Sequence, residues 1–195
     1  FNAIFEAVKQ AERFICLQFY IFRNDDTGNE LARLLKQKSG EGLNVFVLYD
    51  HFGSLGTPRK FWKDMEMADI QVRASRPFQF TRPFHYVHRD HRKLIIIDGV
   101  KAFTGGLNIA NEYSGFHLKR KGRGWRDTGV MIEGPIVNEL FYSFKKSWHL
   151  WRGDPIKISV PITNPINSDN IMPTLPIFVS SAKGRRRMRR LIYYS

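Results

Sequence analysis

The first 75 residues alternate between helical and strand-like hydrophobic periods, and that alternation decides which class of fold the chain can adopt. Ile4, Phe5, Ala7, Val8 and Ala11 recur at helical spacing, after which residues 14–22 form a dense β-branched and aromatic run. Thr27 opens a second helical pattern, with Glu30 three positions on as in a capping box and Leu31, Leu34 and Leu35 on one face; it closes around Gly40 and Gly42. A strand over 43–49 follows. Thr57 and Pro58 then start a helix that runs to about Ala68, ahead of a short strand over 70–73. Repeated helix–strand units of this kind pack as an α/β fold, a mainly parallel mixed sheet flanked by helices.

The later chain adds to that sheet. Residues 93–98 and 100–104 flank Asp98-Gly99 and read as a hairpin stopped by Gly105-Gly106. Residues 125–132 read as another strand. After Gly134-Pro135, a long amphipathic helix carries Leu140, Phe141, Phe144, Trp148 and Trp151. The pattern predicts one domain over 1–152, a Pro-, Asn-, Ser- and Thr-rich linker over 153–176, and over 177–195 the start of a second, truncated unit too small to fold alone. The chain starts at Phe1, within a helical pattern, and is read as a piece of a longer protein.

With 43% hydrophobic residues among 195, there is material for a sizeable core. A single cysteine, Cys16, excludes an intrachain disulfide and any multi-cysteine zinc site, and a reducing compartment fits. Apolar runs such as 94–97 are far shorter than the ~20 residues needed to span a bilayer. The 31 Lys and Arg against 18 Asp and Glu give a net charge of +13, which favours anionic partners without choosing among nucleic acid, acidic lipid and phosphate esters.

The chemistry is concentrated between His91 and Asn108. The spacing is His91-x-Lys93, four residues to Asp98, six more to Gly105-Gly106, and one to Asn108. Positions two apart on a strand share a face, so His91 and Lys93 project together at the strand's end. Gly105 and Gly106 permit a close backbone approach to a ligand and return Asn108 beside them. Histidine, lysine and asparagine together suit attack on a phosphodiester: the imidazole is the nucleophile, while the ammonium and amide hold non-bridging phosphoryl oxygens. The bland reading, a buried strand 94–97 with incidental polar flanks, requires a coincidence on the order of one in ten thousand.

These residues resemble the signature of the phospholipase D superfamily. The similarity extends over residues 1 to about 150 and is closest to the bacterial cardiolipin synthase branch. It is carried by Tyr20-Ile21-Phe22-Arg23, Leu48-Tyr49-Asp50 with Phe52-Gly53-Ser54, His91-Arg92-Lys93, Gly105-Gly106-Leu107-Asn108 with Glu112-Tyr113, Trp125-Arg126-Asp127-Thr128 and Glu133-Gly134-Pro135. His51 stands where that branch is expected to have glycine. The resemblance implies a phospholipase D-like half-domain, the first catalytic half of a site built from two motifs related by pseudo-twofold symmetry. His91 would form a phosphohistidine, Lys93 and Asn108 would clamp the phosphoryl group, and a histidine from the second motif would protonate the leaving alcohol.

By the same resemblance Asp127 orients the histidine, and Asp98, Gly105, Gly106 and Glu112 support the motif; closing the Asp98-Gly99 turn is an equally good reading of Asp98. Arg89, Arg92 and Arg126 are candidates for binding phosphate or an anionic surface. The implied activity is phosphatidyl transfer or phospholipase D-type hydrolysis of anionic phospholipid, completed by a second half in the full-length chain or by a homodimer partner. It places the full-length protein peripherally, or anchored, at the cytoplasmic side of a bacterial cell membrane. The alternatives are a nuclease of the same superfamily completed by dimerisation, and a basic fragment that binds nucleic acid or membrane without catalysis.

Weaker signals have plainer readings. His85, His88 and His91 recur every third residue, a spacing that does not put three ligands on one strand face, so no metal and no cofactor is expected. Lys119, Arg120, Lys121, Arg123 and Arg126, with Arg73, Arg76, Arg82 and Arg89, form either a phosphate-facing collar or a solvated basic face. The run from Lys183 through Arg185, Arg186, Arg187, Arg189 and Arg190 reads first as the polar face of a helix cut off from its partner. Phe78, Phe80, Phe84 and Tyr86 either line an acyl-chain entrance or anchor a long loop.

Overall fold

A computed structural model describes residues 1–77, 91–114 and 127–160, all within the unit Phe1–Pro165. Its centre is strand β1 (Phe14–Phe19), in which every residue is buried. That accounts for its apolar sequence, interrupted only by Gln18, since both faces are covered. Ile15, Leu17 and Phe19 join one core with Ala7 and Val8 of helix α1 (Asn2–Lys9) and Leu31 and Leu35 of α2 (Asp26–Gly40). Phe14 and Cys16 join another with Phe141, Phe144 and Trp148 of α4 (Ile136–Leu150). Complete burial pushes the Cys16 thiol well above its usual pKa, so it behaves as a small apolar group.

The six-stranded sheet has the order β3-β2-β1-β4-β5-β6. β1, β2 (Asn44–Asp50) and β3 (Gln71–Ser75) are parallel neighbours. α2 and α3 (Arg59–Glu66) are the crossovers between them. β4 (Leu94–Ile97), β5 (Lys101–Gly105) and β6 (Gly129–Glu133) add antiparallel pairings on the other side of β1. The α/β class is as the sequence predicts, and the sheet is mixed: a parallel half joined through β1 to an antiparallel half. The antiparallel half arises because the connection from β4 to β5 is a tight turn, too short for the crossover that parallel neighbours require.

The expected hairpin turn is formed at Asp98-Gly99. Both residues have positive φ, 56° and 74°, and Val100 N–H donates to Ile97 C=O at 3.1 Å, the primed geometry that follows strand twist. α2 begins earlier than its sequence suggests. Its cap is Asp25, whose Oδ1 accepts from Gly28 N–H at 3.0 Å and whose Oδ2 accepts from Asn111 N–H at 2.8 Å. A carboxylate serving two backbone donors displaces Thr27 from the capping role, and Glu30 instead pairs with Arg33 at 2.8 Å.

Beyond α4 the chain continues against the same core. Ile156, Ile158 and Val160 pack on it, Trp148 Nε1 donates to Asp154 C=O at 3.0 Å, and Arg13 Nη2 donates to Ser159 C=O at 2.8 Å. No helix among the described residues is long and apolar enough to cross a membrane.

Candidate active site

β1 and β4 run antiparallel with Gln18 opposite Leu94, so the residues just beyond β1 lie beside those just before β4. Tyr20 and His91 meet there as a stacked pair, ring centroids 4.1 Å apart and planes 22° from parallel. Lys93 Nζ lies 5.8 Å from the Tyr20 ring centroid and donates to His91 C=O at 2.9 Å. Thr104 Oγ1 fixes the same stretch from β5 by donating to Lys93 C=O at 2.8 Å. The His91 side is exposed to solvent and Lys93 is half-buried.

The third motif residue comes from the chain that follows β5. Ile109 N–H donates to Ile21 C=O at 3.1 Å, and Arg23 N–H donates to Ile109 C=O at 2.9 Å, so residues 21–23 and 109 run side by side. Asn108 is buried there, and its Oδ1 accepts from Ile21 N–H at 3.1 Å. On the other flank, Ser54 Oγ accepts from Phe22 N–H at 3.1 Å and donates to Tyr20 C=O at 3.3 Å, and Thr57 Oγ1 donates to Phe22 C=O. Asp50 shapes the loop that carries Ser54: its Oδ1 accepts from Phe52 and Gly53 N–H at 3.1 and 2.9 Å. Gly53 is required at that spot, because a Cβ there would sit 2.2 Å from Tyr20 C=O. The segment 20–22 is thus held between the Ser54 loop and Asn108.

The remaining sequence candidates are distributed as follows. Asp98 lies at the opposite end of β4 from His91, where it serves the start of β1: Oδ1 accepts from Arg13 and Phe14 N–H, and Oδ2 from Glu12 N–H at 2.9 Å. The close approach that Gly105 and Gly106 permit is to the chain's own residues 127 and 128, not to an open ligand space. A Cβ on Gly105 would lie 2.2 Å from Thr128 C=O, and one on Gly106 1.9 Å from Asp127 Oδ1. Asp127 Oδ1 accepts from Thr128 N–H at 2.8 Å. Among the described residues no hydrogen bond joins Asp127 to His91. Glu112 is exposed on the short turn Asn111–Tyr113.

Arg92 differs from its expected place at a phosphate. It precedes β4, and its side chain reaches α4. There Nη1 donates to Ser143 Oγ at 3.1 Å and Nη2 to Ser147 Oγ at 2.8 Å. Arg89, Arg126, His85, His88, the aromatic loop 78–86 and the clusters at 119–126 and 183–190 lie outside the described residues. No group of three or more His, Cys, Asp or Glu among the described residues is arranged to hold a metal ion.

Sequence reasoning quoted Tyr20 in the resemblance without giving it a role, and did not name Asn111. Asn111 Oδ1 accepts from Thr27 N–H and Oγ1 at 2.9 and 2.8 Å and its Nδ2 donates to Asp26 Oδ2, which ties the chain after the motif to the start of α2. The available signal was position: Tyr20 immediately follows the central strand, and Asn111 lies three residues after Asn108.

The arrangement of imidazole, ammonium and carboxamide at one sheet end coincides with a family match. Residues 4–148 match the family model described as cardiolipin synthase, PLD-like domain. The chain belongs to this phospholipase D-like family. Within the cardiolipin synthase group it is 40% identical over 150 residues to cardiolipin synthase A of Pseudomonas fluorescens, covering 76% of this chain and 31% of that protein. It is 37% identical over 171 residues to the Pseudomonas entomophila enzyme of the same name, covering 86% of this chain and 35% of that one. The chain therefore spans about a third of the length of these cardiolipin synthases. Two solved structures share the fold, the first of them a phospholipase D family member. The Nuc protein of Salmonella typhimurium aligns with a TM-score of 0.54 at 18% identity, over 76% of this chain and 86% of that one. Phosphatidylserine synthase of Haemophilus influenzae aligns at 0.53 and 15%, over 72% and 32%.

Proposed function

We propose that this chain carries one of the two motifs of a cardiolipin synthase-like phosphatidyltransferase acting on anionic phospholipid. The observation that carries the reading is the exposed His91 imidazole, stacked on Tyr20 beside Lys93, in a chain 40% identical to a cardiolipin synthase A. An imidazole nitrogen of His91 attacks phosphorus, the bond from phosphorus to the leaving alcohol oxygen breaks, and a phosphatidyl-histidine forms. Lys93 Nζ and Asn108 Nδ2 stabilise the charge on the non-bridging oxygens; one such donor is worth roughly 10²–10³ in rate. With Oδ1 fixed on Ile21 N–H, the Asn108 amide has a set orientation.

The leaving oxygen needs a proton, which a histidine of a second motif supplies from another half of the full-length protein or from a second copy of the chain. That histidine then takes a proton from the acceptor alcohol, or from water, as it attacks the phosphorus and releases His91. The net charge of +13 supports a peripheral position on an anionic membrane surface, with the cytoplasmic leaflet as its side. A nuclease completed by dimerisation is the second reading. It draws on the fold likeness to Nuc, 86% of whose chain is covered.

The deciding experiment incubates the chain with phosphatidylglycerol vesicles carrying labelled phosphate, quenches, and searches for acid-labile label, with His91→Ala alongside. Label on the wild type alone is expected once a second motif is supplied, by a second copy of the chain or by the full-length protein. Absence of label in a stable dimer that cleaves DNA would replace the lipid reading with the nuclease one.

A further inference from the structure

On the α1 face of the sheet, helices α1, α2 and α3 pack on the central and parallel strands, and among the described residues β6 is largely exposed. A groove of about 200 Å³ lies there, between α1 and β4–β6. Its walls include Phe19, Phe103, Leu107 and Met131, together with Lys93 and Thr104. Phe19 and Phe103 are buried to within 5% and 8%, whereas Met131 is 55% exposed and forms an outer lip.

We infer that this groove receives part of one acyl chain of the phospholipid whose phosphate is held at His91 and Lys93. The inference rests on the lipid reading proposed above and adds where the tail lies. Three features select this occupant. The lining is mostly apolar and includes the cation Lys93, the complement of an anionic head joined to a hydrocarbon tail. Lys93 belongs both to the motif and to the groove wall, so a phosphate bound at its ammonium delivers the attached chain to the groove mouth without crossing open water. The volume is below the roughly 300–1,000 Å³ of sites that enclose a whole small ligand, which suits one segment of one chain and leaves the rest of the lipid in the bilayer.

The full chain can be titrated by calorimetry with inorganic phosphate and with butyl, hexyl and octyl phosphate as monomers. Affinity is expected to rise by up to about fourfold per added methylene, the increment for burying each one. Met131→Glu should remove that rise, leaving octyl phosphate at least tenfold weaker while inorganic phosphate binds as before; Met131→Leu should retain it. Met131 is half-exposed, and thermal melting of both variants verifies the fold. Phosphate binding that depends on Lys93 but shows no dependence on chain length would overturn the groove assignment and leave the lipid reading standing. A rise that persists in Met131→Glu places the tail elsewhere and also overturns it. If Met131→Glu instead dissolves a dimer without changing the alkyl phosphate series, the groove is an interface between copies. Failure to bind any of these phosphates would sink both readings together.

Discussion

Asp98 binds the entrance of β1 from the far end of the hairpin: its Oδ1 accepts from the N–H groups of Arg13 and Phe14 at 2.8 and 2.9 Å, and Asp98 N–H donates back to Phe14 C=O at 3.0 Å. The aspartate of the motif thus fastens the antiparallel half of the sheet to its parallel half, at the end remote from His91. Asp98→Ala removes the acceptor for three backbone donors and also places alanine at a φ of 56°. Two of these donors belong to exposed residues and the third to buried Phe14, so a loss of about 2 kcal/mol is expected, or roughly 4–8 °C in melting temperature. Asp98→Asn, which tolerates the same φ, should lose less. Thermal unfolding followed by circular dichroism tests both, and equal losses would refute the bonding argument.

Tyr20 supplies the surface on which the His91 ring lies. Tyr20→Leu should slow phosphoenzyme formation about tenfold by releasing the imidazole from its plane, at ~0.5–1.5 kcal/mol for an aromatic pair. Tyr20→Phe keeps the ring and should stay within about twofold. Rapid-quench labelling measures the rate, and the His91 ring resonances in NMR should shift in the leucine variant only. Unchanged resonances in Tyr20→Leu would rule out the stack in solution.

Two glycines give opposite expectations. Gly106→Ala drives a Cβ to 1.9 Å from Asp127 Oδ1, so the Asp127 carboxylate must turn away and give up its bond from Thr128 N–H, and a loss of about 1 kcal/mol is expected. Gly40, the last residue of α2, has nothing within 4 Å of an added Cβ. Gly40→Ala should therefore stabilise by about 0.5–1 kcal/mol. Chemical denaturation distinguishes them, and a neutral Gly106→Ala would show that the Asp127 contact is loose.

Cys16 predicts an alkaline limit. Its thiol pKa is raised from the ordinary 9.0 by burial, so above about pH 9 the unfolded chain ionises this group while the folded chain keeps the proton. The unfolded state then binds fewer protons and stability falls as pH rises. Cys16→Ala should flatten that fall relative to wild type, whatever it costs at neutral pH. A thiol reagent at pH 8 should react with wild type only as fast as the chain opens.

The helix–strand order was legible because each element satisfies its own local period, and β1 was legible as a run because helices cover both its faces. The contacts that assemble the site were not, since they join distant positions through strand register. Tyr20 meets His91 only because Gln18 pairs with Leu94. Asp98 reads locally as a turn residue, and its carboxylate is used 84 to 86 positions away in sequence. Arg92 was assigned by charge, although its side chain reaches α4. The glycine pair signalled a close approach correctly in kind. Identifying what approaches required the position of β6.

The two stacked rings stand on opposite sides of the β1–β4 seam, Tyr20 leaving one half of the sheet and His91 entering the other. Neither half alone contains the stacked pair. A spectroscopic probe of that ring pair would consequently register closure of the seam, and loosening at Asp98, at the seam's far end, would be sensed at the His91 ring before the fold as a whole is lost.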